Sequence, residues 1–276
     1  MINFKTHDEH IERVEDLCNV FFELSHEDRM KIMLTFQREG GVKLTSLSKT
    51  LDATTQEVYR HVSRLQKAKL VMKNVAGDYQ LTSVGEQALR WVPGYRFLSA
   101  HSDYFMSHTL SVIPEEYTLR LGDLENSEFT NDVMITMFDN ERMIKEAEEY
   151  IWMIMDQMMM NLYEPIKDAL QRGVQVHVMR PKGWQLAEDV KKHLSDELIK
   201  ALFEYNTTGK LQQREPERID LCLFMSEKQV SSLSFITLEG KHDYIAFKST
   251  DPVAHKWGRE IYEHYWETAT PAQIRV

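Results

Sequence analysis

Cysteine is nearly absent: Cys18 and Cys222 are the two thiols among 276 residues. Two cysteines so far apart exclude a disulfide framework and point to a reducing compartment, by default the cytoplasm. Glycine (11) and proline (7) are also scarce, which excludes collagen-like, linker-rich and turn-dense all-β architectures. No apolar run approaches the roughly 20 residues that a membrane helix needs; the methionine-rich stretch at 151–160 is broken by Asp156 and Gln157. The first residues, MINFKTHDEHIERVED, are acidic and lack the apolar core of a secretory signal. Neither a Gly-rich phosphate loop nor a Gly-x-Ser-x-Gly elbow occurs. Positive charge is in deficit, 33 basic against 43 acidic residues for a net of −10.

What is present is an ordinary globular composition, 42% hydrophobic and 28% charged, in a chain long enough for two domains. Its charge is uneven. Residues 1–28 hold two basic and eight acidic side chains, whereas residues 43–75 hold seven basic ones (Lys43, Lys49, Arg60, Arg64, Lys67, Lys69, Lys73) against Asp52 and Glu57. That local excess is the electrostatic footprint a DNA-facing surface needs, despite the acidic total.

The apolar residues at 11–24 follow a helical stripe. Ser25, with Asp28 three residues on, suits a capping box before a second helix that ends at Gly40-Gly41. Thr45 suits the cap of a short third helix. After a tight break at Asp52-Ala53-Thr54 a fourth runs from about Thr55 to Ala68, with Val58, Val62 and Leu65 on one face. Leu70–Met72 and Tyr79–Leu81 flank Gly77-Asp78 as a β-hairpin, and Thr82-Ser83 caps the helix that follows. This is the order of a winged helix-turn-helix, whose recognition helix turns an outer face to the major groove. The candidate DNA-binding residues are Thr54, Thr55, Gln56, Tyr59, Arg60, Ser63, Arg64 and Lys67 on that helix, with Lys43 and the hairpin's Lys73. Gln and Arg suit base edges; Lys, Ser and Thr suit phosphates.

The phrase TTQEVYRHVSRLQKAKLV, followed by a hairpin and YQLTSVG, resembles the winged-helix domains of ArsR/MarR-like regulators. One departure is Lys69, where glycine is usual before Leu70-Val71, so a non-glycine residue must close that helix. With HTLSVIPEEYTLRLGDL (108–124) and SLSFITLEGKHDYIAFKSTDPVAHKWGREIYEHYW (232–266), the chain resembles archaeal winged-helix transcriptional regulators of the methanogenesis-regulator type. The resemblance implies a C-terminal domain of phospholipase D-like fold with a sensory or dimerising role. Phospholipase D enzymes carry a His-x-Lys-x4-Asp signature, and no histidine of this chain begins one. The fold resemblance therefore does not bring the activity with it.

From 82 to about 110 the pattern is helical and aromatic, interrupted at Gly85 and Pro93-Gly94. Beyond it, strands are expected at Val133–Met137, Val174–Val178, Asp220–Met225, Ser232–Leu238 and Tyr244–Phe247, and helices at 139–171, Lys182–Phe203 and Pro252–Thr268. The expected fold is thus an α+β winged helix-turn-helix (1–92), a helical connector or dimerisation segment (93–118) and an α/β sensory or interaction domain (119–276). Eight of the 15 methionines fall between Met134 and Met160. They suit a buried helix needing adaptable filler, or a plastic pocket or partner surface. If a small ligand binds, strand ends favour Arg180 and Trp184, then Asp243 and Tyr244. His101 and His108, seven residues apart, suit a metal pair, with surface or core histidines the commoner case.

The expected function is a cytoplasmic, sequence-specific regulator that binds double-stranded DNA as a homodimer built from residues 8–24 and 82–110. Its C-terminal domain would meet a small-molecule or protein effector. No catalytic residue, metal or cofactor is assigned, and no membrane association is expected. The competing readings are a phosphodiesterase-like enzyme with a degenerate site and a winged-helix protein-interaction module.

Overall fold

The computed structural model describes residues 7–184 and 194–272, and the side chains from residue 14 onward within that range. The chain divides into two units at Val92/Pro93. The first opens with α1 (His7–Leu24) and α2 (Glu27–Glu39). Ser25 does not cap α2; its hydroxyl donates to the Phe22 carbonyl, and His26 Nδ1 accepts from the Asp28 N–H instead. Likewise α3 (Leu44–Leu51) starts after Lys43, two residues before the expected Thr45 cap. Asp52 adopts a left-handed conformation (φ 49°) that closes α3, a geometry Asp tolerates better than most residues.

Helix α4 (Thr55–Lys67) is fixed by a complete capping box: Thr54 Oγ1 accepts from the Glu57 N–H, and Glu57 accepts from the Thr54 N–H. Such a cap contributes about 1 kcal/mol. Val58, Val62 and Leu65 are fully buried against Ile32, Met33, Phe36 and Leu47. After α4, Lys69 takes the left-handed conformation (φ 61°), as its place before Leu70 requires. Strands β1 (Val71–Lys73) and β2 (Tyr79–Leu81) form an antiparallel hairpin. Thr82 Oγ1 accepts from the Gly85 N–H at the start of α5 (Ser83–Ala100). That helix is not interrupted at Gly85 or at Pro93-Gly94; it runs through both, and the boundary between the units falls within it.

The second unit holds the short helices α6 (Ser102–Phe105) and α7 (Glu115–Thr118) and an eight-stranded mixed sheet. Its strands are β3 (Glu128–Thr130), β4 (Tyr150–Ile154), β5 (Gln175–Met179), β6 (Leu211–Glu215), β7 (Leu221–Ser226), β8 (Val230–Phe235), β9 (Ala246–Ser249) and β10 (Thr270–Pro271). They lie in the order β10-β6-β5-β4-β7-β8-β9-β3. Only β4, β5 and β6 are mutually parallel; the other pairings are antiparallel. Every residue of β7 and β8 is buried, as central strands covered on both faces require. Helices α8 (Val133–Glu146) and α9 (Tyr163–Arg172) cover one face with Met143, Ile144, Ile166 and Leu170. Helix α11 (Pro252–Thr268) covers the other with Trp257, Ile261 and Tyr262.

Three expectations fail here. Val133–Met137 is the first turn of α8, not a strand. The Asp132 carboxylate caps it by accepting from the N–H groups of Met134 and Ile135, and the cap outweighs the β-branched composition. The long helix expected over 139–171 is two helices with β4 between them; Pro165 lies in the first turn of α9, where a missing N–H costs nothing. The methionines therefore do not line one buried helix: Met153 lies in β4, and Met134 is 71% exposed on α8. Of the helix expected at Lys182–Phe203, residues 185–193 lie outside the described part of the chain. A helix α10 (Asp196–Thr207) follows them. Among the described residues no helix is long and apolar enough to cross a membrane.

Candidate functional site

The burial of Val58, Val62 and Leu65 leaves the opposite side of α4 open. Thr55, Gln56, Tyr59, Arg60 and Lys67 are exposed and Ser63 is half-buried. Gln56 lies three and four residues before Tyr59 and Arg60, these lie four and three before Ser63, and Ser63 lies four before Lys67, so they share a face. Among the described residues neither Arg60 nor Lys67 makes a salt bridge or a side-chain hydrogen bond. Thr54 is occupied by its capping box. Lys43 is exposed, and Lys73 extends from the hairpin with its ammonium 5.6 Å from the Tyr79 ring.

Arg64 is exposed, as expected, but it is not free. Its guanidinium forks onto Glu23 of α1, with Nε 3.0 Å from Oε2 and Nη2 2.8 Å from Oε1, and it lies over the Phe22 ring. Glu23 also receives Arg29 Nε at 2.8 Å. The hydrogen bonds from Arg64, and then the charge of Arg29, hold the Glu23 carboxyl below the usual carboxylate range against the opposing effect of burial. Arg29 is itself almost buried and donates to the carbonyls of Phe22 and Glu23 at the end of α1. One carboxylate thus ties α1, α2 and α4 together, a contact spanning 41 residues that local patterns do not reveal.

Beside it, His26, Asp28 and His61 bring possible metal-ligand atoms within 4.8 Å of one another, the one such cluster among the described residues. Burial, then the nearby His26, lowers the pKa of His61. His101 and His108 do not pair. His101 packs edge-on against Phe97 and Phe247, while His108 bonds the Tyr104 carbonyl and, at 3.0 Å, Asp243.

A second feature lies in the sheet-bearing unit. Just past the ends of parallel strands β4 and β5 opens a cavity of about 120 Å³. Met155, Met158, Ile199 and Leu202 supply apolar wall, and Arg180, Gln213 and Asp156 the polar atoms. Crevices beyond the carboxyl ends of strands are where open α/β sheets receive ligands. Arg180 and Trp184 both line it, the guanidinium 4.8 Å from the indole centroid. Tyr244 reaches it indirectly, through a hydrogen bond from its hydroxyl to Asp156. Asp243 does not line it, being engaged by His108 and the Ile245 N–H. Gln213 and Asp156 were not anticipated, because β6 and the β4 end meet Arg180 only through sheet pairing. Cys222 is buried, and that burial is the chief cause pushing its thiol pKa far up.

No protein-family model matches the sequence, and no curated protein matches it. Among solved structures the chain is similar to TrmBL2, an archaeal DNA-binding chromatin protein (TM-score 0.42, 16% identity, 87% of this chain and 92% of that one). It is also similar to Nuc, a phospholipase D family member from Salmonella typhimurium (TM-score 0.36, 13% identity, 50% and 91%). NucT from Helicobacter pylori is a third (TM-score 0.37, 13% identity, 52% and 100%). The functional reading therefore rests on this chain's own residues.

Proposed function

We propose that the chain is a transcriptional regulator that binds double-stranded DNA through a winged helix-turn-helix, with α4 as the recognition helix and the β1–β2 hairpin as the wing. The observation that carries this reading is the outer face of α4: Gln56, Tyr59, Arg60 and Lys67 stand exposed on a helix whose inner face is fully buried. A helix so mounted fits the major groove. The charges of Arg60 and Lys67, neither held in a salt bridge among the described residues, supply phosphate attraction that the acidic remainder lacks. Arg64 acts from within its Glu23 pair and is assigned a positioning role.

A homodimer completes the reading. Val14, Leu17 and Phe22 of α1 are 52%, 54% and 60% exposed, and Trp91 of α5 is 62% exposed. An apolar stripe of this kind is costly in water and is covered when two copies pair. The sheet-bearing unit serves as the effector domain. The test is selection of bound fragments from a random duplex pool by the full chain. Enrichment of a two-half-site sequence supports the reading, and no enrichment over input overturns it. Light scattering should give twice the chain mass, and Leu17→Glu should halve it.

A further inference from the structure

The cavity at the ends of β4 and β5 holds two polar atoms that the fold leaves unsatisfied. Arg180 Nε and Gln213 Oε1 are both buried and have no hydrogen-bond partner among the described residues. A buried donor or acceptor left unpaired costs about 1–3 kcal/mol, more when it is charged. Native chains keep such groups chiefly where something else satisfies them. Both side chains line one apolar space, so a single ligand can meet the two together.

We propose that this cavity binds a small monocarboxylate with an apolar body, its carboxylate on Arg180, an adjacent O–H or N–H donating to Gln213, and its tail among Met155, Met158, Ile199 and Leu202. The unpaired Nε of Arg180 selects the headgroup, because a carboxylate is the acceptor that best matches a guanidinium. Among the described residues Arg180 is the one cation in the lining; Asp156 shares that lining, and Glu215 is close enough to act on Arg180 electrostatically. These two carboxylates repel a dianion more strongly than a monoanion, so phosphate is disfavoured. The wall selects the body: Met155 and Met158 adapt their shape at low cost, and the Trp184 face backs the guanidinium that would hold the acid. The proposal deepens the reading of this unit as an effector domain and rests on it.

The test is isothermal titration of the full chain, free of DNA, with 2-hydroxyoctanoate, octanoate, octan-1-ol and octyl phosphate. The expected order is 2-hydroxyoctanoate tightest, octanoate next, and the alcohol and phosphate weakest. Arg180→Met should weaken octanoate by about ten- to a hundredfold, the loss of one charge-assisted hydrogen bond, while leaving octan-1-ol unchanged. Arg180→Lys should restore part of the loss. Gln213→Leu should abolish the advantage of the 2-hydroxyl and leave octanoate in place. The proposal is overturned if no carboxylate binds at millimolar concentration, if octyl phosphate or octan-1-ol binds as tightly as octanoate, or if Arg180→Met binds octanoate as the parent does. Duplex binding by the same preparations is scored separately. Its loss would remove the regulator reading and leave the cavity result standing, and the converse also holds.

Discussion

Arg29→Ala is the substitution whose cost follows most directly from the geometry of the N-terminal unit. The Arg29 side chain is 5% exposed and that of Glu23 is 12% exposed, and they meet at 2.8 Å. The guanidinium also satisfies two carbonyls, those of Glu23 and Phe22, each at 2.8 Å; these are the acceptors that a helix end leaves orphaned. Truncation strands the Glu23 carbonyl and leaves the largely buried carboxylate to Arg64 alone, while the Phe22 carbonyl keeps the Ser25 hydroxyl. Losing these charge-assisted hydrogen bonds costs about 2–3 kcal/mol, a large share of the roughly 5–15 kcal/mol that holds a typical domain folded. With a urea dependence of about 1–3 kcal/mol per molar, the unfolding midpoint should fall by about 1 M. The double variant Glu23→Leu/Arg29→Met removes both buried charges and releases the half-exposed Arg64 to water, so it should recover part of the loss. The part it fails to recover measures the carbonyl contacts together with the Glu23–Arg64 pair. A single-variant loss below about 1 kcal/mol, or a double variant no better than the single, would refute the reasoning.

Other outcomes follow from the same structure. Gly85→Ala would set a Cβ 2.1 Å from the backbone carbonyl oxygen of Leu70; α5 must then shift off the hairpin, at about 3 kcal/mol, read as a lowered melting temperature. Burial lowers the pKa of His61, His101 and His177 below 6.5. Each therefore stays neutral in the folded chain while its unfolded counterpart takes up a proton. Stability should be complete above about pH 6.5 and should fall as pH drops toward the lowered values; urea midpoints that rise on acidification from pH 7.5 to 5.5 would contradict this. His177→Phe, which keeps the stack on Trp266, should flatten part of that slope. Glu23→Gln releases Arg64 from its carboxylate, so duplex affinity at low salt should rise even as stability falls.

The local elements of the N-terminal unit, and the last helix of the second, were legible because each is announced by nearby chemistry. Thr54 with Glu57 caps α4, Gly40 ends α2, Gly77 turns the hairpin, and Asp251 with Pro252 starts α11 at its expected residue. The middle of the chain was not legible. VMITM has strand composition, and only the cap from Asp132 makes it helical. Tyr150–Ile154 is a strand because β5 and β7 flank it, which no local pattern records. The sites divide in the same way. Arg180 and Trp184, picked by the strand-end rule, line the cavity, and the face of α4 picked by amphipathicity is exposed. The Glu23 clasp on Arg64, the His26–Asp28–His61 cluster and the Gln213 partner of the cavity are contacts between distant segments, visible only once the chain is folded.

The central claim is that the outer face of α4 holds nucleic acid, and the salt dependence of duplex binding tests it most directly. With a duplex taken from the selected pool, log affinity should fall linearly with log salt by about 0.9 for each phosphate neutralised. Lys67→Ala should reduce that slope by about one and weaken all sequences alike, whereas Arg60→Ala, if it reads a base, should relax preference at one position at about 1–3 kcal/mol. A duplex affinity that ignores salt, or that survives both substitutions unchanged, would contradict the account.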